Sequence, residues 1–237
     1  MGDFASNSFF RIALSIGYYN DSNGFHQSFH GVDSSSMAPL KLGIFVLISS
    51  FLANTGFSNI WEDGDVLLLP LNCYSCRYIE NETGAPYSHS GVLLKINNQW
   101  AVAQSLGKVK TFSVSEFLSM GRKGAKALHL RSKFLGSSKK MVSTYLKKYK
   151  GLAFDSSYRW DNFDEEGREL LYCSEFISKF LNQFLTKKIK PKAMDYSSNW
   201  EYWFNYFNGD VPQGEPGNSP ADFFFSADFT HLRKIQL

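Results

Sequence analysis

Cysteine is scarce in this chain of 237 residues, with three at positions 73, 76 and 173. So few cysteines exclude a scaffold built mainly from disulfides, and their spacing leaves Cys173 without a neighbour. An excess of one charge is also lacking, because the formal net charge is +3. With no recognisable RNA- or DNA-binding motif, that balance argues against a nucleic-acid partner. No apolar run reaches the roughly 20 residues that span a bilayer comfortably.

What the chain does contain is typical of a globular protein. Hydrophobic residues make up 43% and charged residues 20%, and 22 Phe, 12 Tyr and 5 Trp can fill a dense core. Short apolar runs predict strands at 66–70, 89–96, 99–105 and 127–131, with a polar loop between Asn72 and Pro86. Apolar residues recur at helical spacing from Met141 to Tyr149 and from Phe176 to Phe184. This arrangement predicts an α+β domain.

The N-terminal segment differs from the rest of the chain in composition and in hydrophobic pattern. Residues 1–36 are rich in Ser, Asn and Gly and predict a low-complexity extension, or a start assigned too far upstream. From Met37, a lysine, an apolar core over 42–53 and a small, polar exit to Ser58 have the layout of an export signal. A buried core helix is the alternative for the same run. The expected domains are therefore 1–36, 37–58 and a globular domain over 59–237, which would be exported to the periplasm or the exterior.

Cys173 lies where the second helical pattern begins. Unpaired backbone N–H groups at a helix start stabilise a thiolate and can also bind the oxyanion that forms on a substrate carbonyl. The alternative for a lone cysteine is a small buried hydrophobic residue.

His89 opens the first strand of a predicted hairpin whose turn is Asn97-Asn98. If Ile96 faces Gln99, then Gln104 is the diagonal neighbour of His89 on the same face, within reach of a long side chain. A glutamine carbonyl there could orient the imidazole toward a thiol. A register slip of one residue would separate the two side chains, and His89 would then be an ordinary strand residue.

Two segments resemble the signatures of the YiiX/YebB-like cysteine hydrolases, the circularly permuted branch of the NlpC-type papain-like superfamily. They are Tyr87-Ser-His-Ser-Gly-Val92 and Tyr172-Cys-Ser-Glu-Phe-Ile177. Further similarity at 64–66, 151–161 and 219–222 extends the resemblance over about 63–237. His89 precedes Cys173, as the permuted branch requires.

The resemblance implies a small antiparallel sheet packed against the nucleophile helix. It makes Cys173 the nucleophile, His89 the general base and Gln104 the orienting residue, where many family members carry Glu. Tyr158 and Tyr172 would add substrate contacts, and Glu175 would be a buried structural residue. Lecithin:retinol acyltransferase relatives share this fold, so a lipid acyltransferase is one alternative function. A catalytically weak ligand-binding protein is another.

Three features keep two interpretations each. Cys73 and Cys76 could form a local disulfide or remain free thiols, whereas a zinc site lacks a second ligand pair. The aromatic segment 199–208 could line a pocket or fill the core. The lysines at 187, 188, 190 and 192 could contact an anionic membrane surface or be solvated. We expect no metal or other cofactor, and a small peptide-like or acyl-lipid-like substrate.

Overall fold

The structure, a computed structural model, describes residues 60–237 of the chain. The predicted extension over 1–36 and the predicted export signal over 37–58 lie outside these residues. None of the helices among the described residues is long and apolar enough to cross a membrane.

A six-stranded antiparallel sheet forms the centre of the domain, in the order β4-β3-β2-β1-β5-β8. The strands are β1 (Val66–Leu69), β2 (His89–Ile96), β3 (Gln99–Leu106), β4 (Lys108–Ser113), β5 (Lys126–Ser132) and β8 (Phe229–Gln236). The short strands β6 (Lys192–Ala193) and β7 (Pro216–Gly217) pair separately. The helices are α1 (Tyr74–Thr83), α2 (Val114–Ser119), α3 (Met141–Thr144), α4 (Cys173–Leu181), α5 (Trp200–Tyr206) and α6 (Pro220–Phe225). A π-helical turn (Tyr145–Tyr149) extends α3, and a 3₁₀ turn (Ser197–Asn199) precedes α5.

β1 is buried on both faces, which explains its unbroken apolar run. Val66 and Leu68 belong to the larger hydrophobic cluster, together with residues of α4 such as Phe176 and Phe180. Leu67 and its neighbours on the other face pack in a second cluster with α2. The observed fold is mixed α+β with an antiparallel sheet, as the sequence predicts, and α4 packs against β2 and β3.

The polar loop predicted between Asn72 and Pro86 is wrong, because most of it is the helix α1. Cys73 caps this helix by accepting a hydrogen bond from the backbone of Cys76, and Gly84 ends it in the left-handed conformation with φ of 65°. Among the residues of α1, Cys76 alone is buried, so the sequence carries no apolar stripe that would reveal a helix.

The helix predicted from Met141 is present and begins at that residue. Lys140 occupies the N-cap position and makes no side-chain capping bond. The strand β8 at the edge of the sheet gives no clear sequence signal, since five of its eight residues are exposed.

Candidate active site

The β2–β3 hairpin places His89 and Gln104. Asn97 and Asn98 form its two-residue turn with φ of 49° and 63°, the left-handed conformations that asparagine tolerates. Ile96 pairs with Gln99, as the sequence predicts, and the register continues to Val92 opposite Ala103. Gln104 therefore falls on the same face of the sheet as His89.

His89 Nε2 and Gln104 Oε1 lie 2.7 Å apart, with both side chains buried. An amide oxygen only accepts hydrogen bonds, so the contact fixes the imidazole tautomer with its proton on Nε2. Nδ1 then carries the lone pair that can accept a proton. Burial lowers the pKa of His89 to about 4, and the bond to Gln104 only partly opposes this effect. The Gln104 Nε2 group has no hydrogen-bond partner among the described residues.

Cys173 is the first residue of α4. The helix forms here because Phe176, Ile177, Phe180 and Leu181 bury one continuous face against the sheet. Tyr172 occupies the N-cap position and makes no side-chain capping bond. The first N–H groups of a helix have no partner within it, so those of α4 remain available to an oxyanion.

The start of α4 meets the start of β2. Burial raises the pKa of the Cys173 thiol, and the nearby backbone N–H and hydroxyl of Ser90 act on this pKa in the opposite direction. Ser90 follows His89 directly in the chain, and His89 and Cys173 line the same cavity. With the thiol pKa raised and the imidazole pKa lowered, the resting pair near neutral pH is an uncharged thiol and an uncharged imidazole.

The cavity has mainly apolar and aromatic walls. Tyr158 and Tyr172, the two tyrosines predicted to contact substrate, both line it, with ring centroids 5.6 Å apart. Tyr158 adopts φ of 52°, a strained conformation for a residue of its size. Burial raises the pKa of both tyrosines well above the ordinary value, so both phenols stay protonated. The other walls include Leu106, Phe154, Met194, Tyr196, Trp203 and Asn218.

The other two histidines of residues 60–237 lie away from Cys173. His129 Nε2 is 2.7 Å from the buried carboxylate of Asp65, which also binds Arg131. His231 is exposed and contacts the carbonyl oxygen of Phe224 through Nε2. Of the three histidines that the structure describes, His89 alone lines the cavity of Cys173.

Glu175 is fully buried and is not among the residues that line the cavity. Its Oε1 lies 2.8 Å from Lys179 Nζ and accepts from the backbone of Asp161. Burial raises the pKa of Glu175 to about 7, with the nearby ammonium of Lys179 acting against this rise. These contacts tie the first turns of α4 to the preceding loop, in agreement with a structural role.

The sequence did not identify several residues that complete the cavity. Cys73 and Cys76 form a disulfide, and both line the cavity from α1. Asn218 and Tyr196 line the cavity from segments whose sequence carries no helix or strand pattern. The C-x-x-C spacing in a cysteine-poor chain was the available signal for the disulfide.

The structure also shows the surroundings of the aromatic segment and of the lysines that the sequence left with two interpretations. The side chains of the aromatic segment 199–208 lie in two different environments. Trp203 is buried at the cavity, whereas Trp200 and Phe204 are about half exposed. Lys187 pairs with Asp228 and Lys192 with Asp222, while Lys188 binds backbone carbonyl oxygens. These contacts leave the membrane interpretation without specific structural support.

Known proteins resemble this chain in both sequence and structure. No family model matches the chain. It is 24% identical over 159 residues to the uncharacterized protein YiiX of Escherichia coli strain K12, covering 65% of this chain and 75% of YiiX. The crystal structure of metalloprotein YiiX from Escherichia coli O157:H7 matches with a TM-score of 0.64 at 24% identity, covering 74% of this chain and 98% of that one. The chain is thus similar in sequence to YiiX and shares its fold.

Proposed function

We propose that this protein is a thiol hydrolase that cleaves an amide or ester bond through an acyl-enzyme on Cys173. The observation that carries the proposal is the hydrogen-bonded pair of His89 and Gln104 in the same cavity as a thiol at the start of a helix. This set combines a nucleophile, a base with a defined tautomer and oxyanion donors. We also propose that the shared fold is a permuted papain-like fold, because His89 precedes Cys173.

The reaction follows from these positions. His89 Nδ1 takes the proton of the thiol as the sulfur attacks the carbonyl carbon, and N–H groups at the start of α4 bind the oxyanion. When the tetrahedral intermediate collapses, the bond to the leaving amine or alcohol breaks and the imidazolium returns its proton to that group. A water molecule, deprotonated by His89, then attacks the thioester and releases the acid and the thiol.

The residues that line the cavity support a class of substrate and a cellular compartment for the protein. Phe154, Tyr158 and Trp203 offer an apolar surface to a small peptide-like or acyl-lipid-like molecule. The Cys73–Cys76 disulfide supports export, because such bonds persist in oxidising compartments. A lipid acyltransferase would use the same acyl-enzyme, with an acceptor alcohol or amine in place of water.

The metalloprotein description of YiiX raises the question of a metal here. Among residues 60–237, no group of three or more His, Cys, Asp or Glu side chains could hold a metal ion. Gln104 and His89 already bind each other, which leaves Cys173 without a set of partner ligands. The residues present do not fit a metal centre at this cavity, and no step of the proposal uses one.

A catalytically weak ligand-binding protein is the second candidate. The opposite pKa shifts of His89 and Cys173 favour it, because they disfavour the thiolate in the resting state.

An electrophilic thiol probe separates the two candidates. We expect an acyl-like probe to label Cys173 in the oxidised protein, with the adduct located by mass spectrometry, and labelling to disappear in Cys173→Ala. His89→Ala should slow labelling strongly, because the base that ionises the thiol is gone. Labelling of Cys173 at the same rate with and without His89 would contradict the hydrolase proposal and favour a binding protein.

Replacing Gln104 with glutamate tests the orienting residue. A carboxylate at this position stabilises the imidazolium and raises the pKa of His89, so we expect Gln104→Glu to shift the acidic midpoint of the pH profile of Cys173 alkylation upward by about one unit. Gln99→Glu is the matched control, since it makes the same change at the exposed start of β3. An unchanged midpoint in Gln104→Glu, or an equal shift in the control, would show that residue 104 does not act through His89.

A further inference from the structure

The Cys73–Cys76 disulfide closes the first turn of α1 and lines the cavity that also holds Cys173. Cys73 occupies the N-cap position of α1, and Cys76 lies inside the helix. The two cysteines differ in exposure, because Cys76 is 2% exposed whereas Cys73 is partly exposed. An incoming thiol therefore meets Cys73 as the more open end of the bond.

The start of α1 can stabilise a negative charge on Cys73. The backbone N–H of Cys76 donates to Cys73 Sγ at 3.2 Å, and no acidic residue lies in the first turn of the helix. Hydrogen bonds from backbone N–H groups and the partial positive charge of a helix start lower the pKa of a thiol. Once reduced, Cys73 is therefore expected to ionise readily and to be a good leaving group in thiol–disulfide exchange.

The bond contributes little to the architecture of the domain. A disulfide stabilises a fold by restricting the unfolded chain, and this effect is smallest for short loops. Here the two cysteines are three positions apart, so the bond joins no two elements of the fold. None of the residues of α1 belongs to either hydrophobic cluster of residues 60–237. Opening the bond therefore leaves the packed core intact.

The surroundings of the bond suit a peptide partner. Leu71 and Ile79 line the cavity together with both cysteines. Tyr74, which lies between the cysteines in the chain, is 75% exposed. Apolar and aromatic side chains of this kind bind ligands mainly through their apolar surface. The partner that fits is a cysteine-containing peptide with apolar residues beside its thiols.

We propose that the Cys73–Cys76 disulfide is redox-active and oxidises a pair of thiols in a peptide by thiol–disulfide exchange. This activity is separate from the proposed hydrolase function and does not use Cys173. The reaction needs no further oxidant in a single turnover, because the disulfide itself accepts the two electrons.

The exchange has two steps. A substrate thiolate attacks Cys73 Sγ, the Cys73–Cys76 bond breaks, and Cys76 leaves as a thiolate. The second substrate thiolate then attacks the substrate sulfur of the mixed disulfide, and Cys73 leaves as a thiolate. The substrate gains a disulfide, the protein gains a dithiol, and the protons that the substrate thiols lose pass through water to the two cysteines.

Reduced glutathione tests the bond in the intact wild-type protein. A structural disulfide resists reduction by the glutathione pool, whereas a redox-active one exchanges with it. We expect excess reduced glutathione to reduce Cys73–Cys76 in the folded protein. The two forms are counted by acid quenching, alkylation and mass spectrometry. A bond that stays oxidised until urea unfolds the protein overturns the inference.

Single-cysteine variants identify the sulfur that exchanges. In a Cys173→Ser background, Cys76→Ser leaves Cys73 as the one thiol, and Cys73→Ser leaves Cys76. We expect Cys73 to form a mixed disulfide with an activated cysteine peptide at least about tenfold faster than Cys76 at neutral pH, because its thiolate is stabilised. Equal rates, or a faster reaction at Cys76, overturn the role given to Cys73.

A peptide with a pair of cysteines tests the complete reaction. The oxidised Cys173→Ser protein should form a disulfide in the peptide for each Cys73–Cys76 bond that is reduced. The control Cys73→Ser/Cys76→Ser, in the same background, should form none. If the oxidised protein leaves the peptide thiols unchanged, the inference is wrong, while the hydrolase proposal is unaffected because these proteins lack the Cys173 thiol.

Discussion

Replacing His89 with alanine is expected to lower kcat by about 10²- to 10⁴-fold, the usual contribution of a positioned general base. The imidazole both ionises the Cys173 thiol and protonates the leaving group, so its loss affects both halves of the reaction. The measurement is hydrolysis of an activated amide or ester by wild type and His89→Ala, with active sites counted by thiol titration. The pH–rate profile should also lose its acidic limb, which reports the ionisation of this base.

His231→Ala serves as the control, because His231 is exposed and lies outside the cavity. Its kcat should equal that of wild type. A fall of less than about threefold in His89→Ala would contradict the role of a general base. If His129→Ala retains its fold and loses more activity than His89→Ala, the base has been assigned to the wrong histidine.

The stability of the protein is expected to fall as the pH is lowered from 7 toward 4, in large part because of His89. Its pKa is about 4 in the folded protein and near the ordinary value of 6.5 in the unfolded chain. Between these values the unfolded chain binds more protons, so the free energy of unfolding rises with pH across this window. A difference of about 2.5 units corresponds to roughly 3 kcal/mol.

Urea unfolding at several pH values between 4 and 7.5 measures this contribution against His89→Gln, which has a side chain of similar size and does not titrate. Carboxylates contribute equally to both proteins, so the difference between the two curves isolates His89. We expect the free energy of unfolding of the wild type to rise by roughly 3 kcal/mol more than that of His89→Gln across this range. Parallel curves for the two proteins would show that His89 is not buried as an uncharged imidazole.

The hairpin was the part of the site that local sequence could predict in detail. Two asparagines in a two-residue turn fix the register, and the alternation of side chains along β2 and β3 then places Gln104 on the face of His89. The helix after Cys173 was equally accessible, because its apolar residues repeat at helical spacing. Both features depend on neighbours within a few residues.

The helix α1 escaped prediction because its stability does not come from an apolar face. Its capping by Cys73 and Gly84, and contacts such as the stacking of Tyr78 on Tyr202 from α5, hold it in place. The strand β8 was missed for a related reason, since it is defined by pairing with β5 rather than by burial of its own side chains.

The sequence by itself determined the α+β class, the hairpin register and the helix that begins at Cys173, because turn chemistry and periodic burial act over short distances along the chain. Only the tertiary structure decided which histidine shares a cavity with the thiol, since His89, His129 and His231 all lie on strands of one sheet. It also brought Asn218, Tyr196 and the Cys73–Cys76 disulfide to that cavity. These residues are separated by up to 145 positions from each other, and long-range packing alone places such residues together.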